Sequence, residues 1–305
     1  MPDDPKSTAP VLTKGQTFFR RLFSFLILWS FILGALFSGS KVLSDIVFLL
    51  VMVVLAFSGL WEFYDMASRK DLFNYKNFGL IAGVLLMVGT FFKLTGSLGV
   101  NNSPARVNDF ETSFLILFVL GLCIRQFVEK KNTAGITAIS TTLFGLMYVP
   151  WLLNFIQKIY FFPNIAGNYY LLYFVLITKF SDTGAYVVGS LIGRHKMIPR
   201  ISPGKTWEGF GGAVVVSTLA SVAFVQIWAV KMPAMNWIHA IILGVILSIA
   251  AVVGDLIESL FKREANLKDS GKLFPGIGGI LDLLDSLLFN APIMYIYLRH
   301  VLKTG

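Results

Sequence analysis

The chain has 305 residues, of which 55% are hydrophobic and 14% charged, with a mean hydropathy of +0.71 and a formal net charge of +9. A soluble domain carries roughly 25% charged residues, so this composition describes an integral membrane protein with no separate soluble domain. The single Cys123 lies in an apolar run and excludes a disulfide framework, while His195, His239 and His300 lack the spacing of a Cys/His zinc site.

Residues 1–17 contain Pro, Ser, Thr and Asp and read as a disordered cytoplasmic tail. A single membrane-embedded domain follows over 18–305. Spanning the hydrocarbon layer takes about 17–25 residues of helix, and runs of that kind are expected at 18–38, 42–61, 77–94, 110–128, 135–156, 168–190, 209–230, 237–258 and 280–301. The expected fold is therefore all-α and polytopic, because an open sheet cannot satisfy its backbone in lipid. The first run follows Arg20 and Arg21, with small residues at Gly34, Ala35, Ser38 and Gly39. It could be read as a cleaved signal peptide, but cleavage would spoil the alternation of loop charge. The chain shows no internal repeat, which weighs against an inverted-repeat transporter.

Nine spans place the termini on opposite sides. Eighteen of the 26 Lys and Arg residues then fall in the amino-terminal tail and the loops on its side, against six on the other; Lys93 and Lys179 lie within spans. Cytoplasmic loops collect Lys and Arg. The amino terminus is thus expected in the cytoplasm and the carboxyl terminus outside, and the positive charge calls for no nucleic-acid partner.

Acidic residues gather at the cytoplasmic ends of three spans. Asp182 follows Lys179 and Ser181, Asp255 and Glu258 stand in GDLIES, and Asp282 and Asp285 open the last span. Ionisable groups in a membrane cost several kcal/mol by order of magnitude unless they face one another, a cation or water. Residues three and four apart share a helix face, so Asp255, Ser259 and Lys262 align, as do Asp282, Asp285 and Ser286. Two such faces could offer oxygens to a hard cation such as Mg²⁺, or the acids could simply pair with Lys262, Arg263 and Lys268. The PGIGG run at 275–279 opens onto a helix start, where backbone N–H groups favour an anion. In ISPGKTWEG at 201–209, Pro203-Gly204 reads as a turn, Lys205 can meet a phosphate, and Trp207 can stack or anchor at the interface. Asp45, Glu62 and Asp65 are expected to pair with Lys41 or Arg69.

The segment SLFKREANLKDSGKLFPGIGGILDLLDS at 259–286 resembles the signature of the phosphatidate cytidylyltransferases. Ser259, Lys262, Arg263, Lys268, Asp269, Pro275, Gly276, Gly278, Gly279, Asp282, Asp285 and Ser286 stand in step with it. SDTGAYVVG at 181–189 and SPGKTWEG at 202–209 resemble two further family elements in the expected order. Together they mark 168–292 as the catalytic half, while the helices within 18–94 have no assigned role. Two positions depart: Ile277 stands where the family has His, and Leu283 where it has Arg.

The resemblance implies transfer of CMP from CTP to phosphatidic acid, giving CDP-diacylglycerol and pyrophosphate. It implies Mg²⁺, with a second cation allowed for, a homodimer among membrane lipids, and a site facing the cytoplasm from a cell (inner) membrane. Asp255 and Asp282 would hold the metal, with Asp285 and Asp182 completing or supporting the site. Lys205, Lys262, Arg263 and Lys268 would bind the phosphates, and Asp269 would orient Lys268 or join the metal shell. Ser202, Trp207, Ser259, Gly278, Gly279 and Ser286 would line the substrates. A cytidylyltransferase for another lipid phosphate, such as an isoprenoid one, would show nearly the same motifs. An ion-coupled transporter would instead spread its acids across the membrane depth.

Overall fold

The computed structural model describes residue 34 and residues 37–96, 104–130, 134–267, 270–271 and 279–302. The tail 1–17, nearly all of the expected first span 18–38, and Lys268, Asp269, Ile277 and Gly278 lie outside the described residues. The helices are α1 (Lys41–Ser68), α2 (Lys76–Thr95), α3 (Pro104–Val128), α4 (Gly135–Leu146), α5 (Leu152–Tyr160), α6 (Gly167–Ile192), α7 (Trp207–Ile227), α8 (Trp237–Glu264) and α9 (Ile280–His300). Met147–Trp151 forms a π-helical turn joining α4 to α5 into one run. Pro150 lies in that turn, where its missing N–H is tolerated because the ladder is already widened.

Eight helical runs are long and apolar enough to cross a membrane, and the protein is a multi-pass membrane protein. They match the last eight expected spans, with two instructive extensions. The run expected at 42–61 continues to Ser68 and that at 237–258 continues to Glu264. Both extensions are carboxyl-terminal and polar, and they bring Glu62 and Lys262 to the same end of the molecule.

The helical fold expected holds for the eight runs, and the described residues depart from it at 196–206, an antiparallel hairpin of β1 (Lys196–Ile198) and β2 (Ser202–Thr206). It lies between α6 and α7, outside the spans, where strand edges can meet water. Its reversal falls at Pro199–Ile201, with the Ile201 N–H donating to the Ile198 carbonyl at 3.1 Å. Pro203-Gly204 is therefore strand rather than turn. A two-stranded ribbon is all edge, and an edge tolerates a residue without an N–H.

The main core is built from α1, α5, α6, α8 and α9, around Leu60, Tyr64, Tyr173, Phe174, Leu247 and Leu288. A smaller cluster of Ala82, Phe118, Leu122, Ala138 and Leu146 joins α2, α3 and α4. Outward-facing Val54, Leu85, Leu117, Ile124 and Leu219 remain exposed, as lipid-facing positions should. The crossing of α8 over α9 sets the spacing between the acids of the two helices. A Cβ on Gly254 would lie 2.7 Å from the Asp285 carbonyl oxygen, so only glycine lets the two backbones approach beside Asp255 and Asp285.

Candidate active site

At that crossing three acids converge. Asp255 and Glu258 project from α8 and Asp285 from α9, and one carboxylate oxygen from each lies within 4.8 Å of the other two. Glu258 is fully buried and Asp285 is 8% exposed. Oε2 of Glu258 lies against the ammonium of Lys262, one turn further along α8.

Lysines surround this group. Lys205 reaches Asp255 Oδ2 at 2.5 Å from β2. Lys262 also pairs with Asp282 Oδ1 at 2.8 Å. Lys179, from α6, donates to Asp182 Oδ2 at 3.1 Å, the Leu283 carbonyl at 3.3 Å and Ser286 Oγ at 3.4 Å. Ser286 Oγ in turn donates to Asp182 Oδ2, and Ser259 Oγ to Asp255 Oδ1, each at 3.4 Å. Among the described residues, the five carboxyl groups of Asp182, Asp255, Glu258, Asp282 and Asp285 thus face three ammonium groups. Partly desolvated carboxylates crowded together are costly unless cations share them. An all-oxygen donor set suits a hard divalent ion such as Mg²⁺. The residues therefore fit a divalent metal, with Asp255, Glu258 and Asp285 as its candidate ligands.

Asp282 has a different setting from the one expected of it. Its Oδ2 accepts the Gly279 N–H at 2.7 Å and the Ser270 N–H at 3.2 Å, closing the first turn of α9. The next two N–H groups, of Ile280 and Leu281, go to Glu62 at 3.0 and 2.9 Å. Of the run 275–279 expected to favour an anion, 275–278 lie outside the described residues, while the N–H groups of 279–281 are taken by two of the protein's own carboxylates. Glu62 likewise does not pair with Lys41 or Arg69, and Asp65 pairs with Lys76 at 2.5 Å.

The hairpin presents Lys205 through a local lattice of polar contacts. Thr206 caps α7 by accepting the Gly209 N–H at 3.1 Å. The Trp207 N–H donates to the His195 carbonyl at 2.9 Å. Glu208 holds the segment leading into β1, accepting from the N–H groups of Arg194 and His195 at 3.1 and 3.2 Å. Ser202 lies in β2 opposite Ile198, and Trp207 is 56% exposed. Neither side chain joins the acid cluster. Arg263 turns away from it, donating through Nε to the Ile201 carbonyl at 3.1 Å and through Nη1 to the Leu267 carbonyl at 3.4 Å. A cavity of about 300 Å³ opens beside α8, walled by Phe63, Phe144 and Phe261, with Lys70 and Glu264 among its polar lining.

Three residues of this site are not among those assigned to it from sequence. Glu258 stands in GDLIES, three residues after Asp255, and that spacing is the available signal. Lys179 stands three residues before Asp182 and reads in isolation as a single span lysine. Glu62 gives no local signal, because its partners lie 208 to 219 residues away.

Comparison with known proteins bears on this arrangement. Residues 20–301 match the model of the cytidylyltransferase family. The phosphatidate cytidylyltransferase of Staphylococcus saprophyticus is 33% identical over 268 residues, covering 86% of this chain and 98% of that protein. That of Bacillus subtilis is 30% identical over 259 residues, covering 84% and 94% respectively. A shorter match, 37% over 160 residues, covers 52% of this chain and 51% of the uncharacterized protein YnbB of Escherichia coli.

Proposed function

The chain belongs to the cytidylyltransferase family, and from that premise we propose that it transfers CMP from CTP to phosphatidate, yielding CDP-diacylglycerol and pyrophosphate. The observation that carries this reading is the acid cluster at the α8–α9 crossing, with Lys179, Lys205 and Lys262 around it. Near end-to-end similarity to two proteins named for that activity supports the choice of acceptor.

The reaction brings two anions together. A phosphate oxygen of the lipid attacks the α-phosphorus of CTP, forming one P–O bond while the bond to the β-phosphate breaks and pyrophosphate leaves. The nucleophile is already ionised, so no general base is needed and no proton has to be placed. Catalysis of such transfers is mainly positioning and electrostatic stabilisation. A divalent ion held by Asp255, Glu258 and Asp285 would supply charge neutralisation at the phosphates. Lys205 and Lys262 are held near the reacting groups by their carboxylate partners and can offer N–H donors to phosphate oxygens as those partners are shared. Lys179 keeps Asp182 and Ser286 in place at the flank. Arg263 and Lys268 belong to the same signature and are proposed to serve the phosphates, with Asp269 orienting Lys268 or joining the metal shell. Asp282 is proposed to act through Lys262 and the start of α9.

The excess of Lys and Arg on one side supports a site that faces the cytoplasm, where CTP is found. Purified protein should form a labelled CDP-lipid from labelled CTP, Mg²⁺ and phosphatidate. Folded protein that forms no such product across several lipid phosphates and divalent metals would refute the assignment.

A further inference from the structure

Glu62 brings an acid of the amino-terminal half to the start of α9. Its Oε2 accepts from Ser270 Oγ and from the Leu281 N–H, each at 2.9 Å, and its Oε1 accepts the Ile280 N–H at 3.0 Å. The residue is 5% exposed. A Cβ on Gly271 or Gly279 would collide with its carboxylate, so both flanking backbones close on it where only glycine fits.

Three donors engage this carboxylate, which leaves it little capacity to serve as a ligand as well. Two of those donors belong to the start of α9. The first N–H groups of a helix have no intrahelical acceptor, and the helix start favours negative charge. Glu62 supplies both needs to α9. Ser270 is held twice, by Glu62 through its hydroxyl and by Asp282 through its N–H. The chain on either side of 272–278 is thereby tied to α1 and to the first turn of α9. Asp285 lies one turn beyond Asp282 on that same helix, so a shift or rotation of the helix start moves Asp285 relative to Asp255 and Glu258.

We infer that Glu62 is a positioning residue, fixing the start of α9 so that Asp285 meets the two acids of α8. The inference rests on reading Asp255, Glu258 and Asp285 as a divalent-cation site. It assigns the amino-terminal half a part in the chemistry without contact with substrate. A carboxamide in place of the carboxylate would turn an N–H₂ toward backbone donors, whereas aspartate would keep the charge with a shorter reach.

The test is Mn²⁺ binding by the full-length protein in detergent, read from loss of the free-ion electron paramagnetic resonance signal, beside a thermal midpoint for each variant. Glu62→Gln should weaken Mn²⁺ binding by about 10–100-fold, the range for groups that orient metal ligands, and Glu62→Asp should recover part of the loss. Ser270→Ala removes one of the three bonds and should shift binding in the same direction by a smaller factor; it decides the matter should Glu62→Gln not fold. Wild-type affinity in folded Glu62→Gln, or a lower thermal midpoint with unchanged affinity, would reduce Glu62 to a helix anchor. Absence of Mn²⁺ binding by the wild-type protein, or equal binding by Asp285→Asn, would overturn the cation-site reading and this inference with it.

Discussion

Two buried ionic groups in this protein differ in a way that separates structure from chemistry. Glu111 of α3 and Lys158 of α5 form a pair at 2.6 Å, with side chains only 5% and 3% exposed. Polar neighbours complete it: Lys158 donates to Asn108 at 3.2 Å, and Asn154 donates to Glu111 at 3.4 Å and to Thr90 at 2.9 Å. One acid meets one base. Among the described residues, the cluster at the α8–α9 crossing instead sets five carboxyl groups against three lysines, with Lys262 shared between Glu258 and Asp282. Burial of charge is common to both. Imbalance of charge is what marks the second as a place for a cation.

The sharpest way to break this contrast is to remove one charge from each group. Asp285→Asn or Asp255→Asn should lower turnover by about 10²–10³-fold, the scale for losing one charge-stabilising group. The thermal midpoint should hold or rise, because a like charge is removed from a crowded set. A CDP-lipid assay and a melting curve on the same preparation would show whether the two effects part in this way. Lys158→Met should do the opposite. Leaving Glu111 buried and unpaired should cost about 3–5 kcal/mol of stability, with turnover per folded molecule unchanged well below the midpoint. Adding Glu111→Gln to it should restore part of the loss.

A smaller effect comes from the metal itself. Mg²⁺ at a hundredfold excess over its dissociation constant should stabilise the wild-type protein by about 2.7 kcal/mol, and EDTA should reverse this. Lys158→Met should keep that response, whereas Asp285→Asn should lose most of it; equal responses would erase the distinction between the two groups. The least effect is expected at the exposed Lys76–Asp65 pair, 2.5 Å apart with side chains 23% and 49% exposed. Asp65→Asn should change stability by only about 0–1 kcal/mol and leave turnover alone.

Much of the site is legible in the sequence because its residues lie close along the chain. Asp255, Ser259 and Lys262 share a face by spacing alone, and Ser259 does bond Asp255. The α-helical period also carries Asp282 and Asp285 to one end of α9. That period does not say which acid meets α8. Asp282 sits in the first turn, where unmatched N–H groups compete for its oxygens, while Asp285 sits one turn deeper at the Gly254 crossing. The hairpin departs from expectation at Pro203-Gly204 for a similar reason, since a Pro-Gly pair suits an edge strand as well as a turn, and partner choice decides between them. Leu283, one of the two departures from the family signature, packs against the core while its carbonyl accepts from Lys179.

The sequence by itself determined that this chain lives in a membrane, where its helical runs lie, and which end gathers the acids and bases. Those properties are set by local composition and by the 3.6-residue period, and neither depends on which helices are neighbours. Tertiary structure alone decided that Glu258 completes the carboxylate group, that Lys179 and Lys205 border it, and that Glu62 holds the start of α9. The meetings of Asp285 with α8, of Lys205 with Asp255 and of Glu62 with α9 join parts far apart in the chain, and at Gly254, Gly271 and Gly279 the approach leaves no room for a Cβ. No local rule of spacing encodes such a meeting.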